Sequence, residues 1–228
     1  MMGNVLKNVF WNCLTGPHAR FAAGTGAARR YSPGFSPIAG FADEECPDFG
    51  ALRPYCKPGE ALYCSGWSGP VPDGWRVDLE STMVLMVWNA AGPVADDSAR
   101  AGFLELKPNH ASQAVELADL TRPGPFGLRT IELGDYFGCF EAGRLVAMAG
   151  ERMHAGAFRE ISGICTHPDQ QGRGLARRLT LHLVGRQLRR NETPFLHVMK
   201  NNVNARGLYE RMGFTDYRET MVRVVARC

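Results

Sequence analysis

The chain has no long apolar run. Its longest, residues 83–88, is six residues, far short of the ~20 that a membrane helix needs, so no membrane span is expected. It has no C-x-x-C pair either. Its seven cysteines, Cys13, Cys46, Cys56, Cys64, Cys139, Cys165 and Cys228, are odd in number and irregularly spaced, which argues against a zinc finger or a disulfide scaffold. The six histidines fall in no metal-ligand spacing, so no metal is expected. Lysine is scarce, 4 residues against 22 arginines, a bias that fits GC-rich codons. No basic stretch followed by an apolar one opens the chain. Arg29-Arg30 leads into Tyr31-Ser32-Pro33-Gly34, not into the apolar run of an export signal. The expectation is a cytoplasmic protein, in which the sequon Asn191-Glu192-Thr193 has no meaning.

What is present is an ordinary globular composition: 228 residues, 45% hydrophobic, 21% charged. At about 150 residues per domain this is one and a half domains. The net charge of +3 is unevenly placed. Residues 1–97 hold 7 basic against 10 acidic residues, and residues 98–228 hold 19 against 13, so the second half is the one that attracts anions. In the first half, short helices are expected over 5–14 and 48–55, and strands over 61–64, 75–79 and 82–88. A Gly/Pro/Asp-containing linker over 90–98 divides a smaller α/β N-terminal domain, 1–97, from a second domain, 98–228. In that second domain the pattern predicts strands over 103–106, 135–140, 144–149, 158–166, 194–199 and 217–225. Helices are predicted over 112–120, 172–190 and 203–212, the last ended by Gly213. The order β-α-β-β-β-α-β-α-β is that of an α/β fold with a mixed sheet.

The stretch with the most chemistry is a strand, then His167-Pro168-Asp169-Gln170, then Gln171-Gly172-Arg173-Gly174-Leu175-Ala176 opening a helix. A helix start carries unpaired N–H groups and partial positive charge. Two glycines there let backbone approach a bulky anion, and Arg173 adds charge. A dinucleotide fingerprint fails, because its third glycine position is Arg177 and Glu192 precedes the next strand rather than ending it. A Walker loop is absent. The basic helix has no aromatic interleaving, so no nucleic acid is expected.

The hexapeptide Gln171–Ala176 resembles the Gln/Arg-x-x-Gly-x-Gly/Ala signature of the GNAT N-acetyltransferase superfamily, which holds the pyrophosphate of acetyl-CoA. Residues 204–214, NARGLYERMGF, are similar to the superfamily's N-x-x-A-x-x-x-Y-x-x-x-G-F, with the alanine moved to directly after Asn204. The stretches 121–126 and 148–152 resemble a bacterial subgroup with an extra N-terminal half. The resemblance covers about residues 98–228. It implies a mostly antiparallel sheet flanked by helices, acetyl-CoA as cosubstrate, and a small-molecule or peptide primary amine as acceptor.

It also implies roles. The end of the splayed strand, Ile164, Cys165 and Thr166, would pair through its backbone with the pantetheine arm. Gln171, Gly172, Arg173, Gly174, Leu175 and Ala176 would hold the pyrophosphate. Asn204 would bond the CoA arm or cap local backbone. Glu160, eleven residues before Gln171, matches a general base used by some members. The bare residues also allow an ion pair of Glu160 with Arg159 or Arg152. Strand alternation puts Glu160 on one face with Ser162 and Ile164, and Glu151 is the second candidate base. Tyr209 matches the family's general acid, against a plain core role. Cys165 reads as a small buried residue, since no histidine motif would activate it as a nucleophile. The resulting expectation is direct attack of an amine on the thioester, with the N-terminal half shaping the acceptor side. The rival is an acyl-CoA-binding sensor without turnover.

Overall fold

The computed structural model describes residues 5–92 and 102–228. Helix α1 (Val9–Thr15) starts where the Asn8 side chain accepts from the Trp11 N–H, and it buries Val9, Phe10, Cys13 and Leu14. Three short strands follow, β1 (Ala22–Gly24), β2 (Ala28–Tyr31) and β3 (Ala39–Phe41), forming a small antiparallel sheet in a stretch where the sequence pattern predicts no strand. Next come α2 (Phe49–Leu52), β4 (Ala61–Ser65) and β5 (Trp75–Trp88). The two runs expected at 75–79 and 82–88 are one 14-residue strand.

The later elements are β6 (Leu104–Glu105), α3 (Ala111–Thr121), β7 (Tyr136–Glu141), β8 (Arg144–Ala155), β9 (Phe158–Thr166), α4 (Leu175–Arg189), β10 (Thr193–Met199), α5 (Val203–Met212) and β11 (Phe214–Arg227). Helix α4 starts three residues later than expected, because Gly172 and Gly174 hold positive φ, which a right-handed helix does not admit. Helix α5 ends at Gly213, φ +114, as the sequence implied.

Eight strands form one sheet in the order β4-β11-β5-β10-β9-β8-β7-β6. Every neighbouring pair is antiparallel except β9 and β10. The fold is therefore α/β, with a large mixed, mostly antiparallel sheet flanked by helices. Alternation along β5 shows the two layers. Val84 and Met86 join the core under α4 and α5, with Leu179, Leu183 and Met212. Met83 and Leu85 join the opposite core under α1, with Phe10, Leu14, Tyr31 and Phe195. Helix α3 covers a third cluster on Tyr136, Met148 and Cys165.

The linker expected at 90–98 lies largely outside the described residues. The sheet itself runs across the expected division at residue 97. Strand β5 lies between β10 and β11, paired with β11 from Trp75↔Arg227 to Trp88↔Phe214 and with β10 over Met83–Val87. β4 forms the far edge, beside β11.

Candidate active site

Strands β9 and β10 pair only briefly. Three registers are formed, Thr193↔Phe158, Pro194↔Arg159 and Phe195↔Glu160, and then the strands part. The cause is visible on the other side of β9. Its pairing with β8 shifts by one residue between Cys165↔Met148 and Ser162↔Gly150, the mark of a β-bulge, which bends a strand. Gly163 holds φ +63 there, and a Cβ at that position would press at 3.3 Å on the rings of Phe126 and Tyr136. The bulge also corrects the expected alternation. Ile164 packs with Ile161 in the core under α4, so it does not share a face with Glu160.

The opened strand leads through a short turn into α4. The N-cap is Gly174 itself, φ +71, with no side-chain cap. Nothing lies within 4 Å of a Cβ built on Gly172 or Gly174. The turn therefore leaves open space at both glycines, and the helix start adds unpaired N–H groups and partial positive charge. Gln171 and Arg173 are exposed at this turn. Arg173 is bonded to the Glu141 carboxylate and to Gln170, so its guanidinium stands beside the turn. Leu175 points inward and anchors the helix in the core. Ala176 is half-buried, its carbonyl accepting from Thr180. Asn204 is exposed on α5. The local cap is made by Asn202, whose side chain accepts from the Ala205 N–H at 3.2 Å, which removes the capping role weighed for Asn204.

At the end of β9, the Thr166 hydroxyl is buried without a hydrogen-bond partner among the described residues. Cys165 is buried, and burial pushes its thiol up to about 11 against a weaker opposing bond to Thr121. That is a neutral, unactivated thiol. Tyr209 is buried against Phe214, ring centroids 6.1 Å apart. Burial, and then the nearby Cys165, push its phenol up to about 12.

Glu160 has no exposed surface. Arg152 holds it with two bonds, Nε to Oε2 at 2.9 Å and Nη2 to Oε1 at 2.7 Å. His197 Nδ1 lies 2.7 Å from Oε1. Burial alone would raise this carboxyl, but Arg152 and His197 outweigh it and hold it at about 2. Of the two expectations for Glu160, the ion pair with Arg152 is the one formed. Glu151 is engaged as well, accepting from Gln187 at 3.1 Å and paired with Arg190.

The N-terminal segment reaches this pair. Tyr31 Oη lies 2.8 Å from His18 Nδ1, 3.3 Å from Cys13 Sγ and 3.5 Å from the Arg152 carbonyl. His197 is held edge-on by Phe10 and Phe195, at 5.8 and 5.7 Å. His197 belongs to no metal-ligand spacing in the sequence, and only the fold sets it against a carboxylate on another strand. No cluster of potential metal ligands occurs among the described residues, and no helix there is long and apolar enough to cross a membrane.

Residues 136–224 match the family model described as FR47-like protein. A protein of Novosphingobium aromaticivorans assigned to the GNAT acetyltransferase family is 31% identical, with 98% of each chain covered and a TM-score of 0.87. The fold is also that of a GCN5-related N-acetyltransferase from Kribbella flavida (14% identity, 100% and 96% covered, TM-score 0.65). A GCN5-related N-acetyltransferase-like protein from Streptococcus suis shares it too (15% identity, 99% and 95% covered, TM-score 0.63). Curated proteins give no significant match. Full-length similarity above 30%, on a fold whose parallel strands part in front of an uncapped helix, makes this chain a member of the GNAT acetyltransferase family.

Proposed function

We infer that the protein transfers an acetyl group from acetyl-CoA to a primary amine by direct attack. The observation that carries this reading is the parting of β9 and β10 directly before the open glycine turn of α4. A thioester arm can lie along the unpaired edge at Ile164, Cys165 and Thr166. Its pyrophosphate then meets the backbone of Gln171–Ala176, where N–H groups and the helix dipole favour an anion. Asn204, exposed on α5, is the residue that the family resemblance assigns to the arm.

The leaving sulfur is served by Tyr209. A phenol held near 12 keeps its proton at every working pH, so it enters as a hydrogen-bond donor. A thiolate, ordinarily near 8.5, becomes a better acceptor in the same buried setting, which narrows the mismatch for proton transfer. Glu160 is not carried forward as the base, because both of its oxygens are bonded and its carboxylate binds a proton weakly. On the opposite layer, Phe10 of α1 packs edge-on against His197, and Tyr31 Oη lies 3.5 Å from the Arg152 carbonyl. This supports the N-terminal half as the wall of the acceptor side.

The test is amine-dependent thiol release from acetyl-CoA, read with L-lysine, spermidine, tyramine and a free alanyl peptide. Turnover is expected with at least one of them. Tight acetyl-CoA binding without turnover on any amine would favour the sensor reading.

A further inference from the structure

Resting on the acetyl-transfer reading, we propose that His197 is the catalytic base, that Glu160 positions it, and that Arg152 positions Glu160. His197 lies two residues beyond Phe195, the last residue of β10 paired with β9. It therefore stands where the two strands part, which is where an acetyl group between them would be attacked. Its side chain keeps 8% exposure, while that of Glu160 keeps none.

The bond between the two residues fixes the ring's chemistry. A carboxylate in an ion pair with Arg152 accepts and does not donate, so the 2.7 Å contact must be Nδ1–H donating to Glu160 Oε1. The neutral ring then has its lone pair on Nε2. The groups packed around it leave that assignment undisturbed. Glu160 faces it from β9, with Arg152 behind on β8. Phe10 of α1 and Phe195 of β10 hold it by their ring edges. Leu85 is its partner on β5. A base oriented by a second group through its other nitrogen is the general pattern of activated attack.

The step balances without a further reactant. Nε2 takes a proton from the acceptor ammonium, directly or through one water. The freed lone pair forms the C–N bond at the acetyl carbon. The C–S bond then breaks, its electron pair leaves on sulfur, and sulfur is protonated with Tyr209 as donor. The new amide returns its second proton to the Tyr209 phenolate, directly or through water, and His197 returns to neutral by losing its proton to solvent, so one proton is released per turnover.

His197→Gln keeps a donor for Glu160 but cannot take a proton. With acetyl-CoA and whichever probe amine turns over, kcat/KM should fall about 10²- to 10⁴-fold, while the Kd for acetyl-CoA stays within about threefold. The acidic limb of the pH–kcat/KM profile should vanish. Glu160→Gln should shift that limb, which a merely structural role would not do. A wild type that turns over alongside a His197→Gln variant with unchanged kcat/KM and profile overturns the assignment alone. A wild type that turns over no amine overturns the transferase reading and this one with it. Nitrogen NMR of the wild-type imidazole serves if the variant does not fold. A protonated Nδ1 with a bare Nε2 is expected, and the opposite tautomer refutes the assignment.

Discussion

Cutting one side of the Arg152–Glu160 pair should unfold this protein far more readily than its length suggests. The arginine side chain is 8% exposed and the glutamate 0%, so neither has water to replace a lost partner. Breaking a buried pair from one side leaves an uncompensated charge and costs about 3–5 kcal/mol. In a chain of this size each kcal/mol moves Tm by about 2–4 °C. Arg152→Met should therefore lower Tm by about 6–20 °C in a calorimetric or fluorescence melt. Arg152→Met combined with Glu160→Leu removes both charges and should recover most of that loss, because a matched apolar pair is often neutral or better. Glu105→Gln is the control. Its pair with Lys107 is about half exposed on both sides, and such pairs contribute about 0–1 kcal/mol. If Arg152→Met melts within about 2 °C of the wild type, or the double variant melts no higher than the single one, the account of this pair is wrong.

Acid should destabilise the fold in two separate windows. His18 is lowered to about 4, chiefly by burial, so the unfolded chain binds its proton first and stability falls as pH drops from about 6.5 towards 4. Glu160, held at about 2, gives stability that is full above about 4.3 and is lost as pH falls further towards 2. Denaturant melts across pH 8 to 3 should show both slopes, and replacing His18 with Phe should flatten the first. Gly174→Ala places a side chain at φ +71, which costs about 1–2 kcal/mol of stability and should weaken acetyl-CoA binding at least tenfold by calorimetric titration. Tyr209→Phe should lower kcat about 10²- to 10⁴-fold with acetyl-CoA affinity unchanged; equal kcat would remove the phenol from the mechanism. A fragment of residues 102–228 lacks β5, the strand between β10 and β11. It should be insoluble when expressed alone, and a soluble fragment with a cooperative melt would contradict that.

The second half of the fold was largely legible because its signals are local. Periodicity marked α4, Gly213 closed α5, and two glycines before a helix marked the turn. The missed features are non-local or small. Nothing in residues 75–88 announces that their partners lie at 193–227, and alternation broken by Asp78 to Ser81 invited a division into two strands. Strands of three or four residues, like β1 to β3, are too short to show a period. The bulge at Gly163 looked like any glycine in a strand, yet it turned Ile164 to the other face. Glu160 left two readings open in sequence, since only the fold brings Arg152 and His197 to its two oxygens. His197 itself sits in an ordinary apolar strand, and no sequence spacing links it to a carboxylate 37 positions away.

The position of β5 bears on how the chain is made. Its two sheet neighbours come from the last 36 residues, starting at Thr193. Long-range pairings of this kind form late and slowly. On the ribosome, synthesis runs at about 5–20 residues per second, so residues 75–88 wait several seconds for partners that do not yet exist. During that wait a strand of 14 residues, apolar over Met83–Trp88, has both edges open. An open apolar edge is a template for the wrong neighbour. Arg76, Asp78 and Glu80, charges spaced two apart in its first half, are placed to keep it soluble until the last strand emerges.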